Sequence, residues 1–253
     1  HAPLLIFCHG YKGFKDWGGA WNLFAKTFAA SGIAVLKFNF SHNGGTIEQP
    51  IDFPDLEAFG HNNYTKELDD LNQVLDWVET AYAKHSNINV SNITLVGHSR
   101  GGGIVTLKAA EDSRVKKLVS LAGVSDFKSR FPKGSDLDVW KSTGVRFVMN
   151  GRTKQQMPHY YQFYKDFMAN ASRLTIQLAA KSLKVPHLII HGDADTSVDL
   201  KEAFALHKWH PGGQLVVLKG ANHVFGSHHP WDFSELPLYL QRIIKPIVFF
   251  VAR

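Results

Sequence analysis

A serine flanked by two glycines lies where one type of sequence pattern changes into another. The apolar run 93–98 passes directly into Gly97-His98-Ser99-Arg100-Gly101, and an alanine-rich helical pattern follows. In such a turn between a strand and a helix, the serine adopts a strained conformation that exposes its hydroxyl, and its flanking residues must be small to avoid a clash. We therefore predict that Ser99 is a nucleophile.

A serine hydroxyl is a poor nucleophile until a neighbouring base takes its proton and an acid orients that base. His223 follows the apolar run 214–219 in a loop of small residues, and it is the predicted base. The apolar run 186–191 is followed by two carboxylates, Asp193 and Asp195, either of which could orient the imidazole. Asp193 comes directly after a His-Gly turn, a position that also suits a loop cap.

A third element of the predicted site lies near the start of the sequence. The apolar run 4–9 ends in His9-Gly10-Tyr11, a turn that can present a backbone N–H to a carbonyl oxygen. We expect the oxyanion of a tetrahedral intermediate to be held by the backbone amides of Tyr11 and Arg100, the residue after the nucleophile. Only main-chain donors are needed, so the identity of these two side chains matters little.

The chain order Ser99, Asp195, His223, each after a strand, resembles the α/β-hydrolase superfamily over nearly the whole sequence. The resemblance implies that Asp195 rather than Asp193 is the acid of the triad. Three segments look like bacterial esterases of the dienelactone-hydrolase-like and acyl-peptidase-like groups: 9–18, 38–44 and 222–226. The turn between strand and helix that carries Ser99 is called the nucleophile elbow, and true dienelactone hydrolases have cysteine at this position. Because position 99 is serine, the resemblance implies ester hydrolysis through an acyl-enzyme rather than their lactone specificity.

The rest of the sequence alternates between strand and helix patterns, which predicts an α/β fold with a mostly parallel sheet and helices on both faces. The predicted strands span 4–9, 33–39, 93–98, 115–122, 186–191 and 214–219. The predicted helices span 19–30, 64–84, 100–111, 199–209 and 234–252, the last interrupted at Pro246. Together with the resemblance, this pattern predicts the α/β-hydrolase fold.

The segment 125–183 is too long for a simple crossover between two strands. In the superfamily an insertion after the sixth strand forms a cap over the site, so we expect residues 1–253 to be one catalytic domain with a cap at about 125–183. Aromatic residues are frequent in it: Phe127, Phe131, Trp140, Phe147, Tyr160, Tyr161, Phe163, Tyr164 and Phe167. These rings suit an acyl or alcohol group, and their partly helical spacing equally suits packing of a cap helix.

Charge and composition argue against several other functions. The 28 Lys and Arg residues outnumber the 22 Asp and Glu residues, but they are spread along the 253 residues and form no basic run with interleaved aromatics, so no nucleic-acid partner is expected. Lys12, Lys15 and Arg152 could favour anionic esters, although solvated surface charge explains them as well. The apolar runs are too short for a membrane helix, so no membrane partner is expected.

Cysteine and histidine usage gives no sign of a cofactor. The single cysteine, Cys8, excludes an internal disulfide and is predicted to be a buried thiol. The 14 histidines lack the spacing of a metal site, so we expect no metal and no cofactor. No secretory leader is visible, which predicts a cytoplasmic protein. The sequence nevertheless starts at what should be an interior strand, so we expect an N-terminal portion to be missing, and export stays open.

The sequence thus predicts a serine carboxylesterase that acts on a small-molecule ester. One alternative keeps the fold but changes the chemistry to an acyl-peptidase, a lactonase or a hydrolase of C–C bonds. A second alternative is a non-catalytic binding module derived from a hydrolase, although both elbow glycines and all three triad residues are present. The natural ester and the oligomeric state stay open.

Overall fold

Six parallel strands form the central sheet of the computed structural model, which describes residues 1–84 and 87–252. In chain order, the strands of this sheet are β1 (Ala2–Cys8), β2 (Ala34–Lys37), β3 (Ile88–His98), β4 (Val115–Leu121), β7 (His187–Gly192) and β8 (Gln214–Leu218). Their order across the sheet is β2-β1-β3-β4-β7-β8, and each neighbouring pair is parallel. Because the strands are parallel, their carboxyl ends lie at one edge, where the predicted site residues follow them.

Helices cover both faces of the sheet, as predicted. The helices are α1 (Ala20–Ala30), α2 (Leu56–Gly60), α3 (Tyr64–Thr80), α4 (Arg100–Glu111), α5 (Ser135–Thr143), α6 (Gln162–Ala169), α7 (Ile176–Ser182), α8 (Lys201–Trp209) and α9 (Leu238–Ala252). Buried residues of α1 and α9 pack on one face, and those of α3, α4, α7 and α8 pack on the other. The chain therefore buries two apolar layers, one on each side of the sheet.

Strand β1 shows why the apolar runs form buried strands. Successive side chains of a strand point to opposite faces, so Leu4, Ile6 and Cys8 enter one core while Leu5 and Phe7 enter the other. All five are almost completely buried. The predicted buried thiol is confirmed, and burial raises the pKa of Cys8 above its usual range.

Three element boundaries differ from the prediction by more than two residues. Strand β3 begins at Ile88 rather than 93, because 88–89 extend the pairing with β1 although polar residues there hide the strand pattern. The long helix ends at Thr80, whose hydroxyl donates to the Asp76 carbonyl, and a short 3₁₀ turn, Tyr82–Lys84, follows. Helix α9 begins at Leu238, directly after Pro237, whose carbonyl accepts from the Gln241 amide and whose missing N–H costs no hydrogen bond at a helix start.

The predicted interruption at Pro246 is wrong. Helix α9 continues through this proline from Leu238 to Ala252. Proline removes one intrahelical hydrogen bond, which disfavours a helix interior. Ile243 and Ile247 on either side of it are fully buried against the sheet, together with Val251. Tertiary packing therefore outweighs the local preference of the proline.

Residues 125–183, here called the cap segment, connect β4 to β7. They contain α5, an antiparallel hairpin of β5 (Val145–Met149) and β6 (Gln156–Tyr160), and then α6 and α7. The hairpin was not predicted. The cap segment follows the fourth strand of this chain. The expected position, after the sixth strand, refers to the strand numbering of the superfamily. That residues 1–253 form one domain with this cap stays a prediction.

None of the helices within the described residues combines the length and the apolar character needed to span a bilayer.

Candidate active site

Ser99 lies at the turn between β3 and α4 in a conformation that few residues other than glycine adopt. Its φ is 56° and its ψ is −119°. The Ser99 amide donates to the Leu121 carbonyl at 2.9 Å, and the Ser99 carbonyl accepts from the amides of Gly102 and Val124. The strained conformation therefore persists because three backbone hydrogen bonds hold it from both sides.

Both glycines of the elbow are required by close backbone approach. A Cβ at position 97 would lie 2.2 Å from the carbonyl oxygen of Gly101. A Cβ at position 101 would lie 2.4 Å from the carbonyl oxygen of Cys8. Any larger residue at either position would push α4 away from the sheet and displace Ser99.

His223 and Asp195 meet at the carboxyl edge of the sheet. The distance between His223 Nδ1 and Asp195 Oδ2 is 2.8 Å. The Asp195 carboxylate is buried, and its Oδ1 accepts from the backbone amides of Ser197 and Val198 at 2.8 and 2.9 Å. Burial by itself would raise the pKa of Asp195, but hydrogen bonds from His191, His223 and the Val198 amide hold that pKa well below its usual range.

The ionised Asp195 fixes the tautomer of His223. A carboxylate only accepts, so His223 Nδ1 must carry the proton, and Nε2 is left as an acceptor. Both His223 and Ser99 line one cavity. The Ser99 hydroxyl makes no hydrogen bond to another atom of the described residues, and catalytic hydrogen bonds often tighten only when a substrate binds.

Asp193, the other carboxylate that the sequence offers, has a different role. Its Oδ1 accepts from the Gly220 amide at 2.6 Å, so it caps the turn after β8. The structure therefore brings Asp195 to the imidazole and leaves Asp193 in the loop-capping position.

A neutral histidine beside the nucleophile fixes the loop of the predicted base. His98 Nε2 donates to the His223 carbonyl at 2.8 Å. Burial, followed by the nearby His223, lowers the pKa of His98 to about 3, so its ring is uncharged. The His98 ring also packs beside Trp21, with 5.3 Å between ring centroids. The position of His223 thus depends on its own carboxylate partner and on this backbone contact.

Two other histidines at strand ends hold their loops by hydrogen bonds. His9 Nδ1 donates to the Gly10 carbonyl at 3.0 Å, and its Nε2 accepts from the Phe40 amide at 3.2 Å. His191 Nε2 donates to the Val198 carbonyl at 2.8 Å. Over 1–84 and 87–252, no group of three or more His, Cys, Asp or Glu residues is arranged to hold a metal ion.

The backbone amides of Tyr11 and Arg100 are available as donors. Within the described part of the chain, neither donates to another protein atom. Arg100 is the first residue of α4, where an N–H has no partner inside the helix and the helix dipole favours negative charge. Tyr11 and Arg100 both line the cavity that contains Ser99. The arrangement can therefore offer two main-chain donors beside the predicted nucleophile.

The side chain of Arg100 is enclosed next to the elbow. Its Nη1 lies 3.2 Å from Glu67 Oε1, and the two side chains are only 14% and 4% exposed. Its guanidinium also lies over the rings of Tyr11 and Tyr64, 4.4 and 5.2 Å from their centroids. Sequence reasoning missed Glu67, although an acid on the apolar stripe of α3, beside Leu68, was a visible signal.

Sequence reasoning also missed His159, which joins the cap segment to the predicted oxyanion loop. The Tyr11 hydroxyl donates to His159 Nε2 at 2.9 Å, and His159 Nδ1 donates to the Met157 carbonyl. Burial, then Arg100 and Arg146, lowers the pKa of His159 to about 4. This neutral ring therefore connects the hairpin to the loop that carries the Tyr11 amide.

Two cavities meet at Ser99. The larger has a volume of about 890 Å³ and lies under the cap segment, and the smaller has about 240 Å³ and extends toward Trp17 and Trp21. Ser99 and His223 line both. Four of the cap aromatics line the larger cavity: Phe127, Phe131, Trp140 and Phe163. Phe147 is not part of this lining and is 56% exposed. Some of the aromatic residues of the cap segment therefore line the cavity and others do not.

Comparison with known proteins agrees with this architecture. A family model described as alpha/beta hydrolase fold matches residues 3–146, more than half of the chain. A solved structure of Est1E from Butyrivibrio proteoclasticus with bound ferulic acid has a TM-score of 0.65 and 21% identity, and the match covers 100% of this chain and 90% of that chain. At that identity the likeness concerns the fold alone. The predicted superfamily and fold class are confirmed.

Two curated relatives match about half of the chain. The sequence is 28% identical over 127 residues to the quorum-quenching protein AidA of Acinetobacter baumannii (strain MDR-ZJ06). It is 27% identical over 126 residues to the uncharacterized peptidase YtmA of Bacillus subtilis (strain 168). Each match covers 49% of this chain but only 36% of AidA and 43% of YtmA, so the chain spans less than half the length of these relatives.

Proposed function

Because this chain belongs to the alpha/beta hydrolase family, we propose that it is a serine carboxylesterase that works through an acyl-enzyme. The observation that carries the proposal is the site at the carboxyl edge of the sheet. A serine in a strained elbow and a histidine paired at 2.8 Å with a buried carboxylate line the same cavity. Backbone strain and a buried carboxylate with a strongly lowered pKa both concentrate at functional sites.

In the proposed reaction, Ser99 Oγ attacks the ester carbonyl carbon while His223 Nε2 takes the hydroxyl proton. Asp195 stabilises the imidazolium that forms without accepting its proton. The amides of Tyr11 and Arg100 hold the oxyanion of the tetrahedral intermediate. His223 then gives its proton to the leaving alcohol oxygen as the C–O bond breaks. A water molecule, activated in the same way, attacks the acyl-enzyme and releases the acid and free Ser99.

The two cavities suggest how an ester lies across the site. One part of the substrate enters the aromatic cavity of about 890 Å³, and the other enters the cavity of about 240 Å³. The aromatic rings exclude water and favour apolar groups, which strengthens the electrostatic contacts near Ser99. The proposed partner is a small-molecule ester, with no nucleic-acid and no membrane partner.

The test is the release of p-nitrophenol from acetyl, butyryl and octanoyl esters at neutral pH, measured for the wild-type protein, Ser99→Ala and Ser113→Ala. Ser113 is exposed and lies between α4 and β4, far along the chain from the elbow, so it is the matched control. We expect turnover by the wild-type protein and the control, and none by Ser99→Ala with its fold intact. Equal turnover by all three proteins would exclude a serine mechanism at this site.

A peptidase is the second candidate, favoured by the likeness to the uncharacterized peptidase YtmA. The same three residues can cleave an amide if His223 protonates the leaving amine. Aminoacyl p-nitroanilides distinguish the two functions. A kcat/KM for the anilides equal to or above that for the esters would favour the peptidase, whereas hydrolysis of the esters alone would favour the esterase.

A further inference from the structure

The cavity under the cap segment carries more positive charge than its own carboxylates neutralise. Its lining includes five cationic residues: Lys12, Arg100, Arg130, Arg146 and Lys201. Among the residues that the structure describes, two acidic residues line it as well, Asp199 and Glu202.

Three of these cations have a carboxylate partner. Arg130 pairs with Glu202 at 2.5 Å. Lys201 pairs with Asp199 at 3.3 Å. Arg100 pairs with Glu67, which lies behind the cavity wall, at 3.2 Å.

Lys12 and Arg146 have no such partner. Within residues 1–84 and 87–252, no carboxylate oxygen lies within 4.0 Å of either cation. The other two cations that the sequence places near the site have carboxylate partners, since Lys15 pairs with Asp16, which Lys37 shares, and Arg152 pairs with Asp52. Among the described residues, Lys12 and Arg146 are therefore the two of the five cavity cations without a carboxylate partner.

Both unpaired cations border the predicted reaction centre. Lys12 follows Tyr11, the predicted oxyanion donor, and its ammonium lies 5.1 Å from the centre of the Tyr11 ring. Arg146 lies on β5 opposite His159, whose Nε2 accepts a hydrogen bond from the Tyr11 hydroxyl. Together with Arg100 they act on one buried ring, because all three lower the pKa of His159. The two charges thus border one region of the cavity from two different elements, the core loop and the cap hairpin.

We propose that Lys12 and Arg146 form an anion subsite, and that the substrate is an ester carrying a carboxylate in addition to its scissile ester group. This proposal rests on the proposed esterase function. A carboxylate between an ammonium and a guanidinium gains charge-assisted hydrogen bonds, and the aromatic lining binds the apolar part of the same molecule. The positive cavity also attracts anionic substrates from solution.

The test compares an anionic ester with a neutral ester of the same shape. On the acyl side the pair is mono-p-nitrophenyl adipate and p-nitrophenyl 6-methylheptanoate. On the alcohol side it is 4-acetoxybenzoate and 4-isopropylphenyl acetate. We expect the anionic member of one pair to have a kcat/KM at least about tenfold higher, through a lower KM, and the pair that shows the preference identifies where the substrate carries its charge.

Arg146→Gln is expected to reduce this preference about tenfold. In the wild-type protein, added salt is expected to reduce the same preference by screening the charges. Lys141→Gln is the matched control, because Lys141 is an exposed cation of the same cap segment outside the cavity lining. An equal loss in both variants would show that only net charge matters and would overturn the subsite. Hydrolysis of neutral esters that needs Ser99, with no anionic preference in either pair, would overturn the subsite and leave the esterase in place.

A binding measurement tests whether the anion subsite exists even if no ester is hydrolysed. Calorimetric titration with mono-p-nitrophenyl adipate compares Ser99→Ala with the double variant Ser99→Ala/Arg146→Gln. We expect the dissociation constant to be about tenfold higher for the double variant. Equal dissociation constants would overturn the anion subsite whatever the wild-type protein hydrolyses.

Discussion

The ion pair between Glu67 and Arg100 is predicted to hold the elbow in place, and Glu67→Gln tests it. The two charges lie 3.2 Å apart, and their side chains are 4% and 14% exposed. With an effective dielectric constant of about 20, their attraction is about 5 kcal/mol. Removing the carboxylate leaves a guanidinium that cannot lose its charge, so we expect Glu67→Gln to lower the free energy of unfolding by about 3 to 5 kcal/mol.

The reverse variant, Arg100→Met, should behave differently with pH. Burial raises the pKa of Glu67 even with Arg100 present, and it raises it further once the cation is removed. A carboxyl group whose pKa is higher in the folded than in the unfolded protein contributes most to the free energy of unfolding at low pH. That contribution is lost as the pH rises through the folded pKa. Arg100→Met should therefore cost less at pH 5 than at pH 8, whereas Glu67→Gln removes the titrating carboxyl and should not cost less at pH 5.

Urea denaturation of the two single variants and the double variant measures these free energies. Replacing both members of a buried pair is often close to neutral, so the double variant should be more stable than Glu67→Gln alone. A loss below about 1 kcal/mol for Glu67→Gln, the size typical of an exposed pair, would refute the reasoning. A double variant as unstable as the two single losses combined would refute it too, since the two charges would then be uncoupled.

Three further predictions concern the triad, the elbow and pH. Asp195→Asn should reduce kcat about 10³- to 10⁴-fold because His223 loses its orienting carboxylate, while Asp193→Asn should leave kcat within about threefold; steady-state kinetics of both variants checks this. Gly101→Ala should prevent soluble expression or abolish cooperative unfolding, because its Cβ would meet a backbone oxygen at 2.4 Å, while Gly151→Ala, with no atom within 4 Å, should unfold like the wild-type protein in circular dichroism. Four enclosed histidines have pKa values lowered to about 3 or 4, first of all by loss of solvent: the buried His9, His98 and His187, and the partly buried His159. These rings take up protons only on unfolding, so the urea midpoint should be constant above about pH 6.5 and fall as the pH drops from about 6.5 to 4; a constant midpoint across that window would contradict their burial as neutral groups.

Local features explain which parts of this fold could be predicted from the sequence. Each strand of the main sheet contains an apolar stretch, and the elbow has a steric requirement that only glycine at positions 97 and 101 satisfies. The chain order of Ser99, Asp195 and His223 could be recognised because each follows such a run. The preference for Asp195 over Asp193 needed the resemblance, since both carboxylates follow the same strand and only contacts from a separate loop distinguish them.

The cap segment could not be predicted in the same way, because its structure depends on contacts between distant parts of the chain. His159 meets Tyr11 across 148 positions, and Glu67 meets Arg100 across 33. The hairpin left a weak local signal, the turn dipeptide Asn150-Gly151 after the segment 145–149, in which two valines and a phenylalanine favour a strand. Nothing local indicated that one of its rings accepts a hydrogen bond from the core. Sequence reasoning therefore misses residues that support a site through contacts between distant parts of the chain.

The central claim is that Ser99 becomes covalently acylated during turnover. Rapid mixing of the wild-type protein with p-nitrophenyl butyrate, acid quenching within the first turnover and peptide mass spectrometry tests it directly. We predict a butyryl adduct on the peptide containing Ser99 that disappears on longer incubation as water releases the acid. Turnover without an adduct, or with the adduct on a different residue, would contradict the account.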